Sequence, residues 1–296
     1  MLIVFGSINA DLLFRVERLP RPGETVLCPA YNFAPGGKGA NQAAAAARAG
    51  AEVEFVGTVG PDPYGELLAG ALARSGAGTT LLARGTLPTG LAVIGVDDGG
   101  ENAIMVASGA NRETRAEQVP DSRLGPGVTV LCQNEVDISQ SSALLSRARA
   151  RGARTILNLA PASRPAAELL ATLDVLVVNR LELETVAGAG DPERVAAALA
   201  ARHGTTVVVT LGASGALAVT PQGRLRVPSL LVDAVDTTGA GDAFVGVLAA
   251  MLDEGRDLGE ALRWASVAAG LTCTAVGAQE AQPAREAIAA RLGDLG

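Results

Sequence analysis

Short runs rich in valine, leucine and isoleucine alternate along this 296-residue chain with longer alanine-rich runs, and that alternation restricts the fold more than any other feature. LIVFGSI is followed by NQAAAAARAG, and VEFVGTVG by YGELLAGALARSG. After residue 125 the rhythm resumes with VTVLCQ, SSALLSRARARG, RTILNLAP, LDVLVVN, VAAALAARHG and TTVVVTLG. Strand followed by amphipathic helix, repeated, implies βα units and a parallel sheet. Near-continuous apolar strands such as VLVVN suit a sheet covered on both faces. The last third, with AFVGVLAAMLDEG, LGEALRWASVAAGLTC and AREAIAARL, reads as helical. The expected class is α/β: a doubly wound, mostly parallel sheet with helices on both faces, with 1–296 as a single domain.

Two segments break the rhythm. Residues from roughly 11 to 33 and from 86 to 108 read as strands without intervening helices, and VDDGGEN in the second is a hairpin signal between LAVIGV and NAIMVA. Both follow strands of the parallel sheet. They are expected to meet as a small separate sheet over the carboxyl ends of the main strands, where open α/β folds place their ligands.

Composition removes several function classes. A formal net charge of −7 with 3% aromatic residues argues against nucleic acid, which needs a basic face or stacking platforms. No apolar run approaches the roughly 18 residues that suggest a membrane span, and MLIVFGSINAD lacks the basic start of a secretory signal. Cys28, Cys132 and Cys273 are far apart and form no CxxC pair, so neither a disulfide framework nor a zinc site is indicated. A cytoplasmic location is expected. The only histidine, His203, stands before Gly204 at the end of a helical stretch, leaving histidine-based chemistries little to work with. Of the 24 basic residues only Lys38 is lysine, and it lies in PGGKGANQ.

Residues just past strand ends line the crevice of an open sheet, and here they are small polar groups, carboxylates and glycines. Asn9 and Asp11 follow the first strand; Gly36, Gly37, Lys38 and Asn41 follow the first insertion; Glu135 follows VTVLCQ. Later strands supply Asn179 and Glu182, then Thr210, Gly212 and Gly215, and finally Asp236 with Gly239, Ala240, Gly241 and Asp242. In TTGAGD, three consecutive small residues directly before a helix let backbone N–H groups approach an anion. Asp242 at that helix start either accepts a proton from an attacking hydroxyl or caps the helix. GGKGANQ lacks the Walker spacing and the GxGxxG pattern. Its glycines either admit a polyhydroxylated ligand close to the backbone, with Lys38 and Asn41 as donors, or form a turn before a helix. Asn9 and Asp11 suit vicinal hydroxyls, since a carboxylate accepts two hydrogen bonds side by side, or else form a solvated strand end. Asn179 and Glu182, three apart, either hold hydrated Mg²⁺ or simply suit the helix dipole.

GSINAD, PGGKGANQAAAAARAGAEVEFVGTVGPDPYGE, VASGAN, NLAPA, NRLELE, TLGASG and DTTGAGDAFVGV, in this order and spacing, resemble the ribokinase-like carbohydrate kinases, the PfkB-type family, over nearly the whole chain. GSINAD, GGKGANQ, QNE and VGAQ are most similar to its ribokinase branch. The resemblance implies a sugar kinase that transfers phosphate from ATP to the primary O5 hydroxyl of D-ribose. It implies Asp242 as general base, with Gly239, Ala240 and Gly241 forming the anion hole. Asn9, Asp11, Gly37, Lys38, Asn41 and Glu135 match sugar contacts. Asn179, Thr210, Gly212, Gly215, Gly241 and Ser266 fall on the ATP side, with Glu182 toward Mg²⁺ through water. Asp236, Thr238, Thr272, Ala275 and Gly277 match ligands of an activating K⁺. It also implies homodimers paired through the small sheet. Two departures stand out: Ser266 occupies the place of a histidine or asparagine near adenine, and Ala281 that of a serine completing the cation site. Rival readings are a sibling kinase for deoxyribose, a ketose or a nucleoside, a non-catalytic sugar sensor, and a nicotinamide-dependent dehydrogenase. Few aromatics count against the nucleoside, and the absence of GxGxxG after the first strand counts against the dehydrogenase.

Overall fold

The computed structural model describes residues 1–295. In chain order the strands are β1 (Leu2–Phe5), β2 (Asn9–Val16), β3 (Tyr31–Gly36), β4 (Val53–Val59), β5 (Gly78–Arg84), β6 (Gly90–Asp97), β7 (Asn102–Ala107), β8 (Thr129–Cys132), β9 (Arg154–Asn158), β10 (Val175–Asn179), β11 (Thr206–Thr210), β12 (Ala216–Thr220) and β13 (Gly223–Val227). The helices are α1 (Lys38–Arg48), α2 (Pro63–Arg74), α3 (Ile138–Ala150), α4 (Ala167–Leu170), α5 (Arg180–Ala187), α6 (Pro192–His203), α7 (Ala240–Asp253), α8 (Leu258–Thr272) and α9 (Arg285–Arg291).

Nine strands form the large sheet in the order β13-β12-β11-β10-β9-β8-β1-β4-β5. Pairings from β11 to β5 are parallel, and β12 and β13 add an antiparallel edge. Alternate side chains of β1 enter two separate cores. Leu2 and Val4 pack with α1, α2, α7 and α8, whereas Ile3 and Phe5 pack with α3, α4, α5 and α6. Two covered faces explain the unbroken apolar runs of the strands.

The two insertions form a four-stranded sheet, β3-β2-β6-β7, with β2 and β6 parallel and the β6–β7 hairpin paired from Leu91↔Ala107 to Val96↔Asn102. The first insertion is wider than expected. β1 ends at Phe5, the chain turns, and Asn9 already pairs with Gly36 and Gly90. Asn9 and Asp11 therefore belong to the small sheet and do not trail from the large one. Among the described residues no helix is long and apolar enough to cross a membrane.

The alanines of NQAAAAARAG permit α1 and α7 to approach closely. Ala43, Ala44 and Ala46 are fully buried, and a Cβ added at Gly246 of α7 would lie 2.3 Å from the Gln42 carbonyl oxygen and 2.8 Å from the Ala45 Cβ. Alanine favours a helix interior over glycine by about 1 kcal/mol, but overpacking against backbone costs about 1–3 kcal/mol, so the clash wins. Gly246→Ala is expected to lower the urea midpoint. Gly70→Ala in α2, where the nearest atom is the flexible end of Arg74 at 3.2 Å, is expected to leave it unchanged or raise it.

Candidate active site

The direction of sheet growth reverses between β1 and β8, since the chain builds outward through β4 and β5 on one side and through β9, β10 and β11 on the other. Strand ends at such a switch point leave a crevice. Past β1, the Ser7 hydroxyl donates to Glu135 Oε2 at 2.6 Å, and Glu135 lies just past β8. The same oxygen accepts the Lys38 backbone N–H at 3.0 Å, fastening the start of α1 to both strands. Gly37, the N-cap of α1, has φ of 87°, and a Cβ there would lie 2.8 Å from the Asn9 nitrogen and the Ile8 Cα. Only glycine meets both conditions.

Asn9 and Asp11, two apart on β2, share a face. Asn9 Oδ1 accepts from Asn111 Nδ2 at 2.7 Å, and Asn111 Oδ1 accepts the Ile8 N–H at 3.0 Å. Asp11 Oδ1 is buried without a hydrogen-bond partner, and a Cβ at Gly36 would lie 2.0 Å from Asp11 Oδ2. Burial first, then the charges of Glu135, Asp242 and Glu280, raise the Asp11 pKa to about 7 against the opposing pull of Lys38. A buried acceptor left unmade costs about 1–3 kcal/mol, and hydroxyl donors would satisfy it.

At α7 the expected arrangement needs correcting. Gly239 is the N-cap, in the left-handed region at φ 76°, so Ala240 and Gly241 are the first two helical residues and do not precede the helix. The tight turn at Gly239 sends the Ala240 N–H back to the Thr237 carbonyl at 3.3 Å. The amides of Gly241 and Asp242 precede the first helical bond, from Ala243 N–H to Gly239 O at 2.8 Å, and are the better anion donors. Nor does Asp242 cap the helix. Its Oδ2 accepts from Asn41 Nδ2 at 3.0 Å and its Oδ1 from Gln42 Nε2 at 2.9 Å.

Asp242, Gly239 and Gly241 line one cavity of about 150 Å³ together with Lys38, Asn158, Asn179, Glu182 and Thr210. Lys38 is held above its usual pKa, chiefly by Asp242, with burial opposing and Glu135, Glu182 and Asp11 assisting. Asn179 and Glu182 form a reciprocal cap on α5: Glu182 N–H donates to Asn179 Oδ1 at 2.8 Å and Asn179 N–H to Glu182 Oε2 at 2.7 Å. The side-chain oxygen of Asn179 thus serves the cap, leaving its Nδ2 to face the cavity, and Glu182 keeps one carboxylate oxygen. Burial raises the Glu182 pKa, the Asn179 N–H and Lys38 opposing.

Thr210 and Gly241 also border a second, largely apolar cavity of about 350 Å³, lined by Gly212, Gly215, Leu230, Leu231, Val232, Ser266 and Ala269. Ser266 does not present its hydroxyl there, because it donates to the Pro228 carbonyl at 2.5 Å. Beside α7, Asp236 accepts from Thr238 N–H at 2.9 Å and from Gly277 N–H at 3.1 Å, which joins the loop before α7 to the loop after α8. Partial burial opposes its ionisation, but these hydrogen bonds hold its carboxyl below the usual range. The Thr272 hydroxyl donates to Ala268 O at 2.9 Å. A larger cavity of about 720 Å³ beside α5 and α6 shares no lining residue with these sites.

Sequence reasoning missed Gln42, Asn111, Gln133, Asn158 and Gln279, all buried. The available signal was an amide side chain inside an otherwise apolar segment, as in NQAAAAA.

Residues 1–285 match the family model described as pfkB family carbohydrate kinase. A ribokinase of Haemophilus influenzae is 37% identical, over 96% of each chain. A deoxyribokinase of Salmonella typhi is 32% identical over 96% of this chain and 95% of its own. The solved Arabidopsis thaliana ribokinase, complexed with ribose and ATP, superposes with a TM-score of 0.91 at 31% identity over 98% of both chains. Agreement across this length, at this identity and in this fold, leads to one conclusion: the chain belongs to the pfkB family of carbohydrate kinases and is an ATP-dependent sugar kinase.

Proposed function

We propose that the chain transfers the γ-phosphoryl group of ATP to the primary O5 hydroxyl of D-ribose, giving ribose 5-phosphate and ADP. The observation that supports this most is the single cavity onto which Asp242, the first residues of α7 and Lys38 all open. Asp242 takes the O5 proton as that oxygen bonds to the γ-phosphorus, and the bond to the bridging oxygen of ADP breaks. The amides of Gly241 and Asp242 and the Lys38 ammonium stabilise the charge on the transferring group. Asp11 accepts the vicinal ring hydroxyls, while Asn9, Gly37, Asn41 and Glu135 surround the sugar. The 350 Å³ cavity takes the adenine, with Thr210, Gly212 and Gly215 at its edge.

A divalent ion on the nucleotide phosphates would offset their charge. Among the described residues no group of three or more histidine, cysteine or acidic side chains forms a metal cage, and one free oxygen on Glu182 fits a water of a hydrated Mg²⁺. Asp236, with backbone groups of Thr238, Thr272, Ala275 and Gly277, is the proposed K⁺ site, to which Ala281 adds no hydroxyl. The small sheet is the lid of a single kinase domain working in the cytoplasm. It is also the dimer contact: Ile104, Met105 and Val106 on edge strand β7 are all more than half exposed, leaving both faces of that strand unpartnered.

A coupled ADP-release assay tests the reaction. Asp242→Asn is expected to lower kcat by at least about 10²-fold. Among ribose, 2-deoxyribose, fructose and adenosine, ribose is expected to give the highest kcat/KM, with K⁺ outperforming Na⁺; a preference for 2-deoxyribose would reassign the sugar.

Asp11 predicts a pH dependence. Its neutral form accepts poorly, so ribose binding weakens as pH falls through about 7. Calorimetric Kd values for ribose are expected to rise between pH 8 and 6 in the native protein and to stay flat in Asp11→Asn. For the dimer, Ile104→Asp with Met105→Asp is expected to halve the sedimenting mass.

A further inference from the structure

Asp242 is held by neutral amides, and those amides are themselves held in one orientation. Asn158 Nδ2 donates to the Val177 carbonyl at 3.2 Å, which turns Asn158 Oδ1 toward Gln42. Gln42 Nε2 then spends one hydrogen on Asn158 Oδ1 and the other on Asp242 Oδ1, both at 2.9 Å. With both hydrogens committed, Gln42 Oε1 must accept, and Gln133 Nε2 donates to it at 2.7 Å. The two fixed acceptors at the ends, a backbone carbonyl and a carboxylate, allow only this arrangement. On the other oxygen, Asn41 Nδ2 donates to Asp242 Oδ2 while Asn41 Oδ1 accepts from Gln279 Nε2 at 3.0 Å. Gln42 and Gln133 are fully buried, and Gln133 Oε1 is left without a donor, pressed against Gly6, where a Cβ would lie 1.9 Å away.

We propose that Gln42 is a positioning residue for phosphoryl transfer: its amide, oriented by Gln133 and Asn158, holds the Asp242 carboxylate aimed at the acceptor hydroxyl. The assignment rests on Asp242 being the base. Each oxygen of that carboxylate gives one lone pair to an amide and keeps another for the sugar hydroxyl. The charged groups acting on the same site are Lys38 from α1, Asp11 from β2 and Glu182 from α5. A neutral amide fixes the carboxylate without adding a formal charge to that set.

Kinetics at saturating ribose and ATP from pH 5.5 to 9, on Gln42→Leu, Gln42→Glu and Asp242→Asn in the full chain, test the proposal. Gln42→Leu is expected to lower kcat at least about tenfold with the KM for ATP within about twofold, because the carboxylate has lost the donor that aims it. Gln42→Glu is the sharper probe. Its neutral acid donates as the amide did, so activity is expected to survive at low pH and to fall as the pair loses its shared proton, a slope opposite to that of the native enzyme. A merely structural glutamine gives no such reversal. A folded Gln42→Glu enzyme with the native pH profile overturns the proposal, and it decides the question alone if Gln42→Leu does not fold. If Asp242→Asn keeps native kcat, the base assignment fails and the positioning role fails with it; if Asp242→Asn is inactive and both Gln42 variants behave as native, only the positioning role is lost.

Discussion

A buried carboxylate fixed between two helices is the constraint on which the rest of this structure depends. An ionised carboxyl taken from water without partners costs far more than a domain's net stability can absorb. Hydrogen bonds to a charged group return about 1.5–3 kcal/mol each, and here Asn41 and Gln42 supply one to each oxygen of Asp242. Both donors come from the first turns of α1, so α1 must lie against α7 within a fraction of an ångström. The alanines of α1 and Gly246 of α7 follow from that requirement, since larger side chains would separate the helices. A sequence that looks like generic helix filler is thus a spacing device for one carboxylate.

The same geometry sorts charge within the crevice. Asp11 and Glu135 stand on the side of the small sheet and the β1–β8 switch, where a neutral polyol can use acceptors. Lys38 and the opening amides of α7 face the smaller cavity, where an anion meets donors beside the carboxylates of Asp242 and Glu182. Two unit charges about 8 Å apart interact with about 2 kcal/mol at an effective dielectric constant near 20. A phosphate drifting toward the carboxylates loses on that scale for each one it meets, and one moving toward Lys38 gains. Asp242 sits at the boundary, which is where the proposed reaction has a proton leave a hydroxyl while phosphorus arrives.

Much of this was legible in the sequence, and the misses share a cause. Apolar periodicity reports which face of an element is buried, so the doubly covered sheet and the separate small sheet could be read from VLVVN, TVVVT and the VDDGGEN hairpin. Strand-end position pointed to Lys38 just past β3 and Glu135 just past β8, whereas Asp11 lies within β2 and Asp242 in the first turn of α7. What a side chain hydrogen-bonds to once buried is set by partners distant in sequence, and periodicity carries no record of that. For Gln42 the sequence marks only an amide in an apolar segment and not its partner: it sits beside Asn41, about 100° around the helix, yet both reach Asp242, 200 residues on. Likewise the sequence does not show that the Ser266 hydroxyl donates to Pro228 or that the Asn179 oxygen serves the capping box of α5. The start of α7 was misread by two residues because the left-handed turn at Gly239 lets Ala240 begin the helix.

Asp11, in the proposed sugar site, shows what a buried carboxylate without a partner costs the fold. Its pKa is about 7 in the folded chain against 3.8 when unfolded, so the folded state holds the proton more tightly. Stability associated with this group is therefore complete below about pH 4 and declines as pH rises toward 7, by a few kcal/mol once the carboxylate is ionised and unpartnered. Deleting the carboxylate would relieve that strain and remove the acceptor for vicinal hydroxyls. A sugar that donates two hydrogen bonds to Asp11 reverses the penalty only while bound, and stabilises by RT ln(1 + [L]/Kd) on top of it. With Asp11 as the proposed sugar contact, a sugar above pH 7 would both bind better and relieve a strain that the free protein carries, coupling occupancy of the site to the integrity of the β2–β3 corner holding Asp11 over Gly36.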